Sequence, residues 1–352
     1  MFPKSLWWPI TTSSCNNLFM RCTKICVIHL NQIGDLCFSL PLLKSLREHY
    51  PGASIHSVVR PYLQGLLADS PYVDSIILRE DTRSATARLA GKLIMEHYDL
   101  LIALPRSEEA LILAGLSFAR LRAGFAHFPW DLGLNVKEVI QGHNSWFNNA
   151  KLLDRLGIPI SQNNYVGLLK VDDQTAIKGL PWRYAVFSPG ASRRRLIKAW
   201  DEYKFAQVIS RLSMEFGLGC VLVGGKDTAE CTGTITRHVE KLLKGGVQQV
   251  VDLAGKVDLR ELTMVLKKAK LFVGIDSGIM HMASALDIPT VGIFGPTDPF
   301  YVAPQNERSA VVRLDLACSP CYLREPCRHR KCLEELEAEM VIEACRKVLK
   351  GL

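Results

Sequence analysis

The polar residues best suited to chemistry follow an apolar run over 271–275. Asp276, Ser277 and Gly278 interrupt this run, and the small and apolar residues that follow, His281 among them, are typical of a packed helix. A strand that turns into a helix leaves unpaired N–H groups at the first helical turn, and such groups can bind a phosphate. Helix capping by the aspartate or the serine, and burial of the histidine in the core, are the more usual uses of these residue types.

A second apolar run, over 290–294, ends in a similar glycine turn formed by Gly295, Pro296 and Thr297. Because strands that alternate with helices lie parallel, both strand ends are expected at the carboxyl edge of one sheet. Open α/β sheets bind their ligands at that edge. The two turns therefore predict a single ligand site.

A carboxylate far upstream has a comparable setting. The predicted strand 24–30 is followed by a loop that ends in Gly34 and Asp35, and then by a helix over about 36–50 with a leucine-rich face. Gly34 permits a close backbone approach. Asp35 could act as a general base facing a cleft, or could stabilise the helix N-terminus by about 0.3–1 kcal/mol, and the spacing leaves both interpretations open.

The second half begins with a strand over 184–187 and a loop that suits a diphosphate. Residues 188–192, which end in Ser192, offer backbone donors and hydroxyls near a helix start, and Lys198 comes soon after the arginine run 193–195. Three consecutive arginines are also typical of a solvated face. No Gly-x-Gly-x-x-Gly follows the first strand and the chain contains no Gly-Lys-Ser/Thr loop, so a dinucleotide oxidoreductase or a P-loop ATPase is disfavoured.

Four cysteines near the C-terminus form the last candidate site. Cys318 and Cys321 have Cys-x-x-Cys spacing, and Cys327 and Cys332 follow closely. Tetrahedral thiolate ligation suits zinc or iron, so these residues could hold a structural metal. Reduced or disulfide-paired cysteines that brace the loop after the predicted ligand site are the alternative, and the spacing leaves both open.

The elements that must position these residues alternate between strand and helix along 352 residues, which predicts two helix-covered parallel sheets. We expect a disordered extension over 1–22, in which Met20 could be the true start, and a first Rossmann-like domain over 23–170. A second such domain is expected over 180–332, and a C-terminal segment, 333–352, whose helix packs back across the domains. The weak pattern over 129–143 predicts an irregular segment above the site.

Composition indicates the compartment and the partners. A formal net charge of +8 favours anionic partners such as phosphates or a negatively charged membrane surface, and no nucleic-acid partner is expected. Eleven cysteines in a long chain without a convincing signal peptide indicate a reducing cytoplasm rather than a secreted disulfide scaffold. Trp7 and Trp8 could touch a membrane interface.

The motifs together resemble glycosyltransferase family 9, the ADP-heptose:lipopolysaccharide heptosyltransferases, over about residues 24–350. The resemblance rests on Ile33-Gly34-Asp35, Ser188-Pro189-Gly190-Ala191-Ser192 with Lys198-x-Trp200, Asp276-Ser277-Gly278-x-x-His281, and Phe294-Gly295-Pro296-Thr297. It implies an α/β fold of the GT-B type, in which two Rossmann-like domains face each other across a cleft. It also implies transfer with inversion at the anomeric centre and without a catalytic metal or other cofactor.

The resemblance further implies a role for each matching residue. Asp35 would deprotonate the acceptor hydroxyl next to Gly34, and Ser192 and Lys198 would hold the donor diphosphate. The donor site would also be lined by Asp276, Ser277, Gly278, His281, Gly295, Pro296 and Thr297.

The implied donor is ADP-heptose, and the implied acceptor is the lipid-linked anionic inner core of lipopolysaccharide, either lipid A-Kdo or a heptosyl acceptor, at the cytoplasmic face of the membrane. A nucleotide-sugar epimerase of similar architecture is one alternative, and a free sugar released without acceptor would favour it. A non-catalytic nucleotide-sugar-binding paralogue is the other, and the intact Asp35 argues against it.

Overall fold

The computed structural model describes residues 22–142, 145–172, 177–190, 197–244, 249–322, 327 and 329–350. The extension predicted over 1–22 therefore lies outside the described residues, except for Cys22. Within the described part, no helix combines the length and the apolar character that crossing a bilayer requires.

The first half of the chain forms a six-stranded parallel sheet in the order β3-β2-β1-β4-β5-β6. Its strands are β1 (Lys24–Ile28), β2 (Ser54–Val59), β3 (Ser75–Leu78), β4 (Leu100–Ala103), β5 (Leu121–Phe125) and β6 (Val136–Glu138). Its helices are α1 (Ile33–His49), α2 (Arg83–Met95), α3 (Glu108–Leu116) and α4 (Ser145–Arg155), with short 3-10 helices at Pro61–Leu66 and Trp130–Gly133.

The second half forms another six-stranded parallel sheet, in the order β12-β11-β10-β7-β8-β9. Its strands are β7 (Tyr184–Ser188), β8 (Gly219–Leu222), β9 (Val250–Asp252), β10 (Leu271–Ile275), β11 (Thr290–Ile293) and β12 (Ser309–Val312). Its helices are α5 (Glu202–Phe216), α6 (Ala229–Leu243), α7 (Leu259–Lys268), α8 (Gly278–Ala285), α9 (Pro299–Val302), α10 (Lys331–Glu334) and α11 (Ala338–Leu349), with a 3-10 helix at Lys226–Thr228.

Both sheets reverse their strand order at the centre, between β1 and β4 in the first and between β7 and β10 in the second. The strands β4, β7 and β10 are buried along their whole length, since helices cover both faces of a parallel sheet. The two predicted Rossmann-like domains are therefore confirmed. In such sheets the reversal opens a crevice at the carboxyl ends of the central strands, and ligands bind there.

The domains meet where the helices that follow these central strands come together. α1 packs against α8, and their buried side chains belong to one apolar cluster that runs across the domain boundary. A Cβ added to Gly34 would lie 2.9 Å from His281 Cδ2, and one added to Gly278 would lie 2.6 Å from Ile33 Cβ. Glycine is required at both positions because the two helix starts touch.

A second contact joins the domains at the rim. The 3-10 helix Pro61–Leu66 packs against α7. The Arg260 side chain donates to both carboxylate oxygens of Asp69, from Nε at 3.0 Å and from Nη2 at 2.8 Å. The bidentate geometry fixes the relative orientation of the domains on this side.

Three elements differ from the sequence prediction. The segment predicted to be irregular over 129–143 contains the edge strand β6, whose three half-buried residues are too few to show a periodic pattern. β12 was not predicted, because this edge strand is only partly buried and lacks the continuous apolar run of the central strands. One helix was predicted over 334–349, but the chain forms α10 and α11 with a break between them.

The break at the C-terminal helix has a tertiary cause. The carbonyl of Leu336 accepts hydrogen bonds from Trp200 Nε1 at 3.0 Å and from Lys204 Nζ at 3.1 Å, so it is not available to a helical N–H. α11 packs against α5, β10, β11 and β12 of the second domain. The domain limits and the reach of this helix to the first domain stay predictions.

Candidate active site

The predicted site residues follow the central strands of the two sheets. Asp35 lies in the first turn of α1, after β1, and Lys198 follows β7. Asp276 follows β10, and the turn Gly295 to Thr297 follows β11. The fold therefore brings these residues to the carboxyl edges of their sheets, at the reversal points or, for the turn after β11, one strand away. Ser192 lies outside the described residues.

Asp35 is held by a residue that the sequence did not suggest. Its half-buried carboxylate accepts a hydrogen bond from Ser145, the first residue of α4, with 3.0 Å between Ser145 Oγ and Asp35 Oδ1. The bond leaves the side chain oriented by two helix starts, those of α1 and α4. A carboxylate fixed in this way at the edge of a cleft can accept a proton from a bound hydroxyl.

His281 is buried where α8 meets α1. The Tyr165 hydroxyl and His281 Nδ1 are joined by a hydrogen bond of 2.8 Å, and the imidazole ring packs against Phe38 at 4.9 Å between centroids. Burial lowers the pKa of His281 to about 4, although the Asp276 carboxylate acts in the opposite direction. The imidazole is therefore neutral near pH 7, and its ring edge forms part of the contact with Gly34.

Two buried histidines should make the protein sensitive to acid. Burial lowers the pKa of His29 to about 3 and that of His281 to about 4, whereas an unfolded histidine titrates near pH 6.5. Below pH 6.5 the unfolded chain binds protons that the folded chain does not, so stability falls as the pH falls. At pH 5, about 1.5 pH units below the pKa of an unfolded histidine, each of the two residues should have lowered the free energy of unfolding by about 2 kcal/mol.

Urea unfolding at pH 7.5 and pH 5.0 measures this effect. The loss of unfolding free energy between these pH values should shrink by about 2 kcal/mol in His281→Gln. Tyr165→Phe keeps the buried imidazole and should keep most of the loss. An equal loss in the wild type and in His281→Gln would contradict the prediction.

Lys198 and Asp276 form a largely buried ion pair at the reversal point of the second sheet. Lys198 Nζ lies 2.5 Å from Asp276 Oδ2, and the two side chains are 11% and 10% exposed. Thr297 Oγ1 donates to the same carboxylate oxygen at 2.7 Å. Asp276 thus fixes the ammonium group of Lys198 and ties the loop after β7 to the turn after β11.

The start of α8 offers donors that are not used within the described structure. Ser277 is the N-cap residue, yet its hydroxyl makes no capping hydrogen bond. Ser277 Oγ is buried and has no hydrogen-bond partner among the described residues. A buried hydroxyl without a partner costs about 1–3 kcal/mol, so the arrangement favours a ligand that supplies an acceptor here. Capping by the serine side chain, the usual use of this residue type, is not what the structure contains.

The described residues of the segment 318–332, which we call the cysteine segment, brace two loops of the site. Ser319 Oγ donates to the carbonyl of Gly295 at 2.6 Å, and the backbone N–H of Cys321 donates to the carbonyl of Pro296 at 3.1 Å. Arg330 Nη2 donates to the carbonyl of Ala199, next to Lys198. The turn after β11 and the loop after β7 are therefore held by the same segment.

The four cysteines of this segment are free thiols. Burial and the neighbouring Cys321, Cys327 and Cys318 raise the pKa of the Cys332 thiol, so the sulfur atoms share one neighbourhood. Among the described residues, however, no group of three or more His, Cys, Asp or Glu side chains is arranged to hold a metal ion. The geometry does not form the predicted metal site.

A buried arginine lies beside the loop that precedes Asp35. Arg79, which follows β3, donates from Nη2 to Asn31 Oδ1 in the loop before Asp35. Its Nε and Nη1 have no hydrogen-bond partner among the described residues, and Glu109 Oε2 is 3.7 Å from Nη1. Burial lowers the pKa of this guanidinium, which the Glu109 carboxylate opposes. Nothing in the local sequence pattern of Arg79 distinguishes it from a surface arginine, so the sequence did not indicate a role for it.

The comparisons with known proteins agree with this geometry. A sequence model of the family described as "Glycosyltransferase family 9 (heptosyltransferase)" matches residues 86–333. Lipopolysaccharide heptosyltransferase 3 of Escherichia coli (strain K12) is 26% identical to this chain over 344 residues, which cover 90% of this chain and 95% of that protein.

Two solved structures have a similar fold. ADP-heptose lipopolysaccharide heptosyltransferase II of E. coli superposes with a TM-score of 0.78 at 23% identity, over 93% of this chain and 99% of that chain. The iron-containing dodecameric glycosyltransferase TibC of enterotoxigenic E. coli H10407 superposes with a TM-score of 0.59 at 13% identity, over 94% of this chain and 79% of that chain. These likenesses confirm the predicted GT-B fold.

Proposed function

Because this chain belongs to glycosyltransferase family 9, we propose that it transfers heptose from ADP-heptose to the inner core of lipopolysaccharide. The relatives named above support this choice of sugar and acceptor. The observation that carries the proposal is the approach of the two helix starts: α1, which bears Asp35, touches α8, which follows Asp276. A base and an anion site thus face each other at one point of the cleft.

In the proposed reaction, Asp35 accepts the proton of the acceptor hydroxyl while the hydroxyl oxygen attacks the anomeric carbon of the heptose. The bond between that carbon and the diphosphate oxygen breaks, and its electron pair leaves with ADP. Attack from the face opposite the leaving group inverts the anomeric centre. An aspartate of ordinary basicity suffices if the proton moves late, when the attacking hydroxyl has become acidic.

In the proposed reaction, the second domain stabilises the negative charge that develops on the departing diphosphate. Lys198 supplies a cation. The start of α8 is the positive end of the helix dipole, and its unpaired N–H groups are proposed to face the same diphosphate. The buried Ser277 hydroxyl, which has no partner among the described residues, supplies a further donor. We propose that these groups, with Gly278, Gly295, Pro296 and Thr297, bind the donor, and that Ser192 contributes from outside the described residues.

The acceptor is proposed to be anionic and lipid-linked, either lipid A-Kdo or a heptosyl core. The buried Arg79 guanidinium, with two nitrogen donors that lack partners among the described residues, supports binding of a carboxylate or phosphate near Asp35. The formal net charge of +8 also suits such a substrate. The protein would then work in the cytoplasm, peripherally at the inner face of the membrane.

Transfer by the purified protein tests the function. ADP-heptose is supplied with and without a lipid A core acceptor, in the presence of a chelator, and ADP release is measured. Acceptor-dependent release that survives the chelator supports a metal-independent heptosyltransferase, and the anomeric configuration of the product tests inversion. Binding of other nucleotide sugars without any release from ADP-heptose would overturn the choice of heptose.

Ser145 should affect transfer through Asp35. Ser145→Ala removes a hydrogen bond to a carboxylate, and we expect a fall in the turnover number of about tenfold, which corresponds to about 1.4 kcal/mol. Ser145→Thr keeps the hydroxyl and should restore most of the rate. The affinity for ADP-heptose should be unchanged in both variants. An equal loss of rate in the alanine and threonine variants would indicate a packing role instead.

A structural zinc or iron at Cys318, Cys321, Cys327 and Cys332 remains a proposal. The clustering of the four sulfurs supports it, although metal binding would require the thiols to move into a tetrahedral arrangement. Such a metal would brace the loops of the donor site rather than take part in the reaction. Elemental analysis of protein purified under reducing conditions tests the proposal, and the absence of stoichiometric zinc or iron would reject it.

A further inference from the structure

One face of the first domain carries large apolar side chains that lie in solvent. α2, α3 and the 3-10 helix Trp130–Gly133 cover the same face of the first sheet, since their inward side chains share one apolar cluster. The outward side chains include Phe128, Phe118 and Leu132, which are 78%, 72% and 71% exposed, and Met95 at 74%. Most aromatic side chains of this size are buried in soluble proteins, so their exposure on one face indicates a contact surface.

The exposed residues lie on elements that touch. α3 packs against the 3-10 helix Trp130–Gly133 so closely that a Cβ added to Gly133 would lie 2.6 Å from the Gly115 Cα. Arg122 joins the two segments by donating to the carbonyls of Gly133 and Ala119. Ile112 and Leu116, also exposed, extend the surface along α3. We call the surface formed by these exposed side chains the apolar face; its members are Met95, Ile112, Leu116, Phe118, Phe128 and Leu132.

Cations without an ion-pair partner among the described residues predominate around the apolar face. Arg83, Arg88 and Lys92 lie exposed on α2, whose sequence contains no acidic residue. Arg106 and Arg120 are exposed at the two ends of α3, and none of these five cations forms an ion pair with another described residue. Glu80 and Glu108 are exposed acids before α2 and at the start of α3, whereas Asp81 is paired with Arg60 and Asp131 is buried and paired with Lys137. Apolar side chains among cations match an anionic lipid surface, which attracts basic residues and accepts aromatic side chains at its interface.

We propose that the apolar face docks the protein on an anionic bilayer. This inference rests on the proposed function, for which a lipid-linked acceptor must reach Asp35 from a membrane. Arg106 follows β4 and Phe128 follows β5, so both lie at the carboxyl edge of the sheet that carries Asp35 after β1. A bilayer against the apolar face would therefore lie beside the opening of the acceptor cleft.

Sedimentation of the full-length protein with vesicles tests the proposal. Vesicles of phosphatidylglycerol and phosphatidylethanolamine are compared with vesicles of phosphatidylcholine. The wild type should bind the anionic vesicles, and binding should weaken with added salt. The triple variant Phe118→Ser, Phe128→Ser and Leu132→Ser should weaken binding at least about tenfold. The double variant Arg88→Glu and Lys92→Glu should weaken binding at low salt but not at high salt.

The second domain offers a matched control. Trp182 and Met214 are 96% and 67% exposed, and Trp182→Ser with Met214→Ser removes comparable apolar surface away from the apolar face. This control should bind vesicles as the wild type does. All substitutions replace exposed side chains, so the melting temperature should change little, which shows that a loss of binding is not unfolding.

Several outcomes would overturn the proposal. Unchanged vesicle binding in the triple serine variant would do so, and so would a loss of binding in Trp7→Ser with Trp8→Ser alone. If the wild type is a dimer and the triple serine variant is a monomer with unchanged vesicle binding, the apolar face is instead a contact with a second copy of the chain. Vesicle binding needs no sugar, and transfer to a water-soluble acceptor oligosaccharide needs no membrane. The failure of one therefore does not imply the failure of the other.

Discussion

The Asp35→Asn variant should lose transfer by about 10³-fold and still bind ADP-heptose as tightly as the wild type. General base catalysis contributes about 10²- to 10⁴-fold to such reactions, and an amide cannot accept the proton. The substitution is isosteric, and the asparagine oxygen can still accept the hydrogen bond from Ser145 Oγ. The loss should therefore appear in the turnover number rather than in donor affinity.

A control for the helix start is available on α6. Glu230, like Asp35, lies in the first turn of its helix, and it is exposed to solvent. Glu230→Gln removes the same favourable interaction with the helix dipole, about 0.3–1 kcal/mol, and should leave transfer unchanged. If Asp35→Asn retains near-normal turnover, Asp35 is not the base and its role is only to stabilise the start of α1.

The local patterns of the sequence were sufficient for most elements of the fold. β10 begins and ends at the predicted residues 271 and 275, because an unbroken apolar run forms the strand, and α7 before it begins with a capping box formed by Asp258 and Glu261. The glycine turns after β1, β10 and β11 were also apparent, since each interrupts an apolar run. Buried parallel strands and capped helices leave a signal that depends on neighbouring residues alone.

The contacts between distant residues were not predictable in this way. Ser145 is 110 positions from Asp35, and Tyr165 is 116 positions from His281. Lys198 and Asp276 were both predicted to contact the donor, but their ion pair across 78 positions was not. Ser145 and Asp35 meet within the first domain, Lys198 and Asp276 meet within the second, and Tyr165 reaches His281 across the boundary. Each pairing depends on how elements far apart in the chain are placed together, and a single sequence carries no local signal for that placement.

The ion pair between Lys198 and Asp276 leads to the second large effect. Lys198→Ala removes the cation that we propose faces the donor, and it leaves a largely buried carboxylate whose described partner is then Thr297. Breaking a buried pair from one side costs about 3–5 kcal/mol, and the remaining negative charge also repels the diphosphate. We therefore expect the affinity for ADP-heptose to fall by about 10²-fold or more, with a further loss of turnover as the leaving group is less stabilised.

A double-mutant cycle separates these contributions. Asp276→Asn keeps the cation and should weaken donor binding far less than Lys198→Ala does. The double variant, Lys198→Ala with Asp276→Asn, lacks the repelling carboxylate and should bind the donor more tightly than Lys198→Ala alone, with a coupling free energy of about 1–3 kcal/mol. Isothermal titration calorimetry with ADP-heptose measures all four proteins.

Lys267→Ala, which removes an exposed cation on α7, is the control for net charge and should bind normally. Unchanged affinity in Lys198→Ala would place Lys198 outside the donor site, and strict additivity in the cycle would mean that Asp276 does not act through Lys198.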